Sequence, residues 1–233
     1  MDYSTYYFIA FINMIPGILL ASYAQMKVTH NYHKYSMVQT ANRITGEEAA
    51  RRILSKNNLS HIAVQRVGGE LSDHYDPSGK VIRLSDNVYS STSLAAVAIA
   101  AHECGHAIQD AEEYQPMRMR SKIAPVASAA TQISWIILFA GILLNWFNLS
   151  MAGAVAFGFV VIFQLVTLPV EVNASARALN ILQAENILQP AEIGGARKVL
   201  SAAALTYVAA LVSAIVSMVR LIIMALMYRR NRF

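Results

Sequence analysis

The chain has 233 residues, 55% of them hydrophobic and only 14% charged. An ordinary soluble domain carries roughly a quarter charged residues, so the composition argues against one and points to membrane insertion. The net charge of +5 does not mark a nucleic-acid binder: the basic residues form no single patch, and Lys27, Lys122, Arg229, Arg230 and Arg232 lie beside apolar segments, where basic residues flank membrane spans.

The first apolar stretch, about Tyr6–Ala24, approaches the roughly 20 residues a spanning helix needs. Asp2 is the only charge before it, whereas a signal peptide has a positive leader. With Lys27 following, the stretch reads as an anchor with its N-terminus outside. Next comes a polar region, Met26–Lys122, with 10 of the 14 acidic residues and all six histidines. Thr45-Gly-Glu-Glu48 is a capping-box pattern and predicts a helix over Gly46–Lys56, with Ala49, Ala50, Ile53 and Leu54 buried. His61–Val67 alternates as a strand does, and Gly68-Gly69 breaks it. Asp76-Pro-Ser-Gly79 signals a turn, and Lys80–Leu84 a second strand. Ser93 then caps an alanine-rich helix, Leu94–Asp110. Three more apolar stretches follow, about Ile123–Phe147, Met151–Val170 and Ala202–Met227. Pro125 suits the first turn of the second span. Only Asn148–Ser150 separates the second span from the third, so these two are expected to form a tight hairpin. Arg220 lies inside the fourth span, seven residues before its end at Met227, and snorkels or faces the bundle.

The alanine-rich helix carries His102-Glu103-Cys104-Gly105-His106, the pattern H-E-x-x-H. Residues four apart share one helix face, so both imidazoles reach one metal ion. Neutral imidazole nitrogens suit zinc. Glu103, offset around the helix, is placed as a general base: zinc polarises the scissile carbonyl and acidifies a water, whose proton Glu103 takes and passes to the leaving amine. An amphipathic helix with two exposed histidines is the competing reading. The wholly apolar run Leu94–Ala101 opposes it, because it predicts a buried helix, and buried histidines need partners. Cys104, the only cysteine, excludes an intramolecular disulfide and reads as a small packing residue pointing away from the histidine pair.

A peptidase zinc site takes three protein ligands and keeps one open position. No histidine follows His106, and the metzincin pattern fails, with Gln109 and Glu112 at its Gly and His positions. Asp110 reads more readily as a helix-end acid, and Glu112, Glu113, Glu185 and Glu192 as solvated. Glu171 differs, because it ends the third apolar span in Leu168-Pro-Val-Glu-Val-Asn-Ala-Ser175. A carboxylate beside a span is costly without a partner, which a zinc ion supplies; a capping acid where a helix restarts after Pro169 is the alternative. The hairpin of spans two and three returns Glu171 to the membrane face where the His106 helix ends.

At these residues the chain resembles the membrane zinc metallopeptidases of the YugP type. The resemblance covers nearly the whole chain and is carried by Leu71-Ser-Asp-His-Tyr-Asp-Pro77, Ala101-His-Glu-Cys-Gly-His-Ala-Ile-Gln109 and Glu171-Val-Asn-Ala-Ser-Ala-Arg-Ala178. More remotely the chain is similar to gluzincins, including a membrane-bound group. Those families use a glutamate as third ligand, which Glu171 matches, and an aspartate four residues later that hydrogen-bonds a ligand histidine. Ser175 stands at that aspartate's place; Asn173 or Asp110 is a further candidate to orient an imidazole. The resemblance also implies a substrate-pairing edge strand, for which Val81–Leu84 is the candidate. An oxyanion donor is required as well, with His74, Tyr75 and Arg177 as candidates.

Lys27, Lys34, Arg118, Arg120 and Lys122 bound the first loop, and Arg177, Arg197 and Lys198 follow the third span. The positive-inside rule puts both segments in the cytoplasm, although four crossings would then leave Arg229, Arg230 and Arg232 outside. The expectation is a mainly α multi-pass cell-membrane protein: about four transmembrane helices and a small α+β zincin-like metallopeptidase subdomain, in a single domain over 1–233. Its soluble catalytic part comprises about 26–122 plus 171–200 and faces the cytoplasm. His102, His106 and Glu171 hold zinc, Glu103 is the base, and Arg177 and His74 are the further catalytic candidates. The expected partners are membrane protein or peptide substrates and the lipid bilayer, with no nucleic acid. The rival readings are a catalytically silent zinc-binding chaperone or scaffold, and a zinc transporter or sensor. A transporter needs polar ligands within several spans, where only Asn13, Gln132 and Gln164 stand in isolation.

Overall fold

The structure, a computed structural model, describes residues 12, 14–144 and 146–230. Most of these are helical. In chain order the elements are α1 (Ile15–Ser36), α2 (Gly46–Lys56), β1 (Ala63–Val67), β2 (His74–Asp76), β3 (Val81–Ser85), α3 (Asp86–Tyr89), α4 (Leu94–Ala111), α5 (Gln115–Leu143), α6 (Phe147–Ala156), α7 (Gly158–Ala184) and α8 (Pro190–Arg230). They form two compact units, each discontinuous in sequence: Met1–Tyr23 with Arg118–Leu168 and Thr206–Phe233, and Ala24–Met117 with Pro169–Leu205.

In the second unit, local sequence signals act as chemistry demands. The Thr45 hydroxyl accepts from the amide of Glu48, and the Glu48 carboxylate accepts from the amide of Thr45. This reciprocal cap satisfies two of the donors that a helix start leaves open. Ala49, Ala50, Ile53 and Leu54 turn inward from α2 and are essentially inaccessible. The Ser93 hydroxyl caps α4 through the amide of Ala96. Around α4 gathers one apolar core that includes Ile53, Leu54, Ile82, Leu84, Val88, Ala101, Cys104, Val170, Leu182 and Leu188.

The sheet has strand order β1-β3-β2, with β3 parallel to β1 and antiparallel to β2. The central place of β3 corrects the expectation of an edge strand at Val81–Leu84. Both of its edges are paired, and its residues are buried on both faces except Arg83, the pattern of an interior strand. The first strand is shorter than His61–Val67, and β2 lies just before the expected turn, where no strand was expected. That turn is present: Asp76 accepts from the amides of Ser78 and Gly79.

The first unit is built on long apolar helices. Among the described residues, three helical stretches are long and apolar enough to cross a membrane: Gln115–Leu143, Phe147–Ala184 and Pro190–Leu226. Only 28%, 28% and 22% of their most apolar windows are buried within the protein, so their remaining surface needs an apolar solvent. Ile136, Phe139, Leu143, Val155, Phe159, Leu165 and Val219 are among the residues that face outward. Inside, Leu138, Ala154, Phe157, Val161, Ala214 and Leu221 pack together. Of the expected first span, 6–24, residues 12 and 14–24 are described, and 15–24 form the start of α1, which runs on to Ser36.

Three details of the apolar segments differ from expectation. The turn between the second and third spans falls before Phe147, because Asn148–Ser150 already belong to α6. Pro125 lies well inside α5 rather than in its first turn, since the helix begins at Gln115 and includes Arg118, Arg120 and Lys122. Pro169 lies inside α7, so Glu171 sits mid-helix and no helix restart exists for it to cap.

Candidate metal centre

His102 and His106 project from α4 one turn apart, as their spacing requires. Their rings meet nearly edge to face, with centroids 4.7 Å apart. Glu171, from α7, reaches the same point. Its Oε2 lies 3.3 Å from Nε2 of His102 and 3.4 Å from Nε2 of His106. One ligand atom from each residue falls within 4.8 Å of the others.

Gly105 makes this convergence possible. A Cβ built there would stand 2.6 Å from the carbonyl oxygen of Ala174, so only glycine lets the two backbones approach this closely. This tight approach of α4 and α7 falls, in sequence, between the two histidines.

The opposite ring nitrogens are already engaged. Nδ1 of His102 lies 3.2 Å from the Ser175 hydroxyl, so the serine standing at the expected aspartate position does touch an imidazole. Nδ1 of His106 lies 3.0 Å from Oε1 of Gln109. Both Nε2 atoms therefore turn inward to the Glu171 carboxylate, which is 2% exposed. A carboxylate buried this deeply is held only by strong partners. Tetrahedral zinc with bonds of 2.0–2.1 Å has ligand-to-ligand edges of about 3.3–3.4 Å, which the two nitrogen–oxygen separations match. Two inward Nε2 atoms and one buried carboxylate oxygen fit zinc in donor type and spacing.

Glu103 is also buried, with 7% of its surface exposed, and its charge acts on His106 and on Asp73. Burial pushes the Asp73 carboxyl upward, against the Ser85 amide and hydroxyl that donate to it, and Glu103 adds to the rise. In metal-free His106, burial alone would lower the pKa; the hydrogen bond and charge of Glu171, the charge of Glu103 and the bond to Gln109 together raise it.

The remaining candidates divide. Arg177 donates from Nε to Oδ1 of Asn173 at 2.8 Å, pairs with Glu112 at 2.7 Å and lies over the Tyr114 ring. His74 is exposed, with Nδ1 against the Ser72 carbonyl and Nε2 near Arg83. Tyr75 donates to Asp110, which also pairs with Lys80; burial and that carboxylate push the Tyr75 phenol far upward, so it stays a neutral donor. Asp110 is thereby tied to the sheet and is absent from the three-residue cluster. Glu185 pairs with Lys56, and Glu192 accepts from the amides of Ala41 and Gln189. Cys104 points into the core toward the Ala50 carbonyl, and burial raises its thiol pKa. Gln109 is the residue that sequence reasoning passed over as a contact of the site. Its one signal was its place three residues after His106, on the same face of the helix.

A family model described as "Putative neutral zinc metallopeptidase" matches residues 10–226. In Bacillus subtilis (strain 168), the protein named "Putative membrane protease YugP" is 44% identical over 212 residues, covering 91% of this chain and 94% of the relative. No solved structure matches the chain.

Proposed function

Since the chain belongs to the neutral zinc metallopeptidase family, we propose that it is a membrane-bound, zinc-dependent endopeptidase. The observation that carries this reading is the convergence of His102, His106 and Glu171, with a buried carboxylate facing two Nε2 atoms. These three residues hold the zinc. When bound, zinc polarises a peptide carbonyl and lowers the pKa of a water toward about 7.

The chain's own residues do the rest. Glu103 accepts a proton as the water oxygen bonds to the carbonyl carbon, then returns it to the amine as the carbon–nitrogen bond breaks. Glu103 would act from the zinc helix, one residue after His102, and its charge is felt at His106. Among the oxyanion candidates, His74 keeps an exposed ring, whereas Tyr75 is engaged by Asp110 and Arg177 holds Asn173 and Glu112.

The substrates in this reading are membrane proteins or membrane-bound peptides, because the catalytic residues share a chain with long helices whose outward faces are apolar. The reading includes four crossings, with 6–24 as the first, a zincin-like subdomain and a cytoplasmic catalytic part. The experiment is cleavage of an unstructured, membrane-tethered peptide by wild type and Glu103→Gln. Loss of a general base costs about 10²–10⁴-fold in rate, and zinc content should stay at the wild-type level. Equal cleavage by both would refute the role of Glu103; one tightly held zinc with no cleavage by either would favour a scaffold.

A further inference from the structure

We propose that Gln109 is a positioning residue that fixes the polarity of His106 and ties it to the helix bearing Glu171. The inference rests on the zinc reading above and adds to it how one ligand is oriented.

The argument concerns the direction of hydrogen bonds. Gln109 is wholly buried. Its Nε2 lies 2.8 Å from the Val170 carbonyl oxygen and 2.9 Å from Oδ1 of Asn173, and its Oε1 lies 3.0 Å from Nδ1 of His106. A side-chain amide can be turned either way in principle, and two fixed groups decide here. The Val170 carbonyl can only accept. The Arg177 Nε–H can only donate, so the Asn173 atom 2.8 Å away from it must be an oxygen. Both neighbours on α7 therefore demand donors from Gln109, and its amide nitrogen supplies them. Its oxygen is left facing His106, so Nδ1 must carry a proton and donate. Nε2 is then the nitrogen whose lone pair is available to a metal.

His102 is held differently. Ser175 offers a hydroxyl, which can donate or accept, and so leaves that ring's tautomer free. The chain Arg177–Asn173–Gln109–His106 sets one of the two imidazoles before any metal arrives. Val170, next to Glu171 in sequence, is one anchor of this chain, so one side chain aligns ligands from both helices.

The test uses the full-length protein in detergent, with zinc affinity read by chelator competition and coordination read by the absorption spectrum of the cobalt-substituted protein. Three proteins are compared: wild type, Gln109→Leu and Gln109→Glu. Groups that orient a ligand histidine are typically worth about 10–100-fold in metal affinity. Gln109→Leu should lose that much and shift the cobalt spectrum. Gln109→Glu keeps an acceptor for His106 but presents an acceptor to two acceptors on α7, and should also weaken binding. Wild-type affinity and spectrum in Gln109→Leu, or in Gln109→Glu, would overturn the proposal while leaving the zinc site intact. No zinc in wild type would overturn the site reading and this inference together.

Discussion

The His106 ring is where proton and metal compete. Zinc needs the neutral imidazole, yet in the metal-free protein the carboxylates of Glu171 and Glu103 and the bond to Gln109 outweigh burial and raise its pKa above the ordinary 6.5. Zinc affinity should therefore begin to fall above pH 6.5 as the medium is acidified. The sign for stability without metal is the reverse. A group whose folded pKa is raised contributes stability that is fully present below the unfolded pKa and is lost as pH rises through the folded one. Thermal unfolding from pH 6 to 9 should show the chelated protein becoming less stable with rising pH, while the increment from added zinc grows. A chelated protein that gains stability from His106 over that window would contradict the pairing with Glu171. At this scale the three residues that cluster were legible in the sequence, because H-E-x-x-H states its own spacing on a helix and Glu171 is an acid beside an apolar run. Gln109 was not legible. Its role depends on which helix packs against the face it shares with His106, and spacing within one helix does not say.

Between elements, the decisive contact is the crossing of α4 and α7 at Gly105. A methyl group there would meet the Ala174 carbonyl at 2.6 Å, and a helix backbone cannot swing aside as a side-chain tip can. Gly105→Ala should cost about 1–3 kcal/mol, as overpacking does. It should also weaken zinc binding, because separating the helices withdraws Glu171 from both rings. Thermal unfolding with chelator reads the first effect and zinc competition the second; unchanged zinc affinity would show that the crossing is not what sets the site. The helices that carry their own start signals, α2 with Thr45 and Glu48 and α4 with Ser93, were readable to within a residue. What was not readable depended on partners. Three-residue β2 exists because β3 pairs with it, and β3 became the central strand through pairing on both sides. Pro125 and Pro169 suggested helix boundaries, yet both helices run through them.

For the molecule as a whole, composition announced the membrane, and the three long helices with mostly unburied apolar windows agree with it. All three proposed ligands fall within one compact unit, Ala24–Met117 with Pro169–Leu205, although Glu171 stands far from the histidines in sequence. That assembly is the account's central claim: an ion held jointly by α4 and α7. Zinc-edge X-ray absorption on the purified full chain, with Glu171→Ala beside wild type, tests it most directly. Wild type should hold one zinc per chain with two imidazoles and a carboxylate oxygen in its coordination, and Glu171→Ala should lose the carboxylate and most of the affinity. An identical spectrum and undiminished zinc content in Glu171→Ala would contradict it.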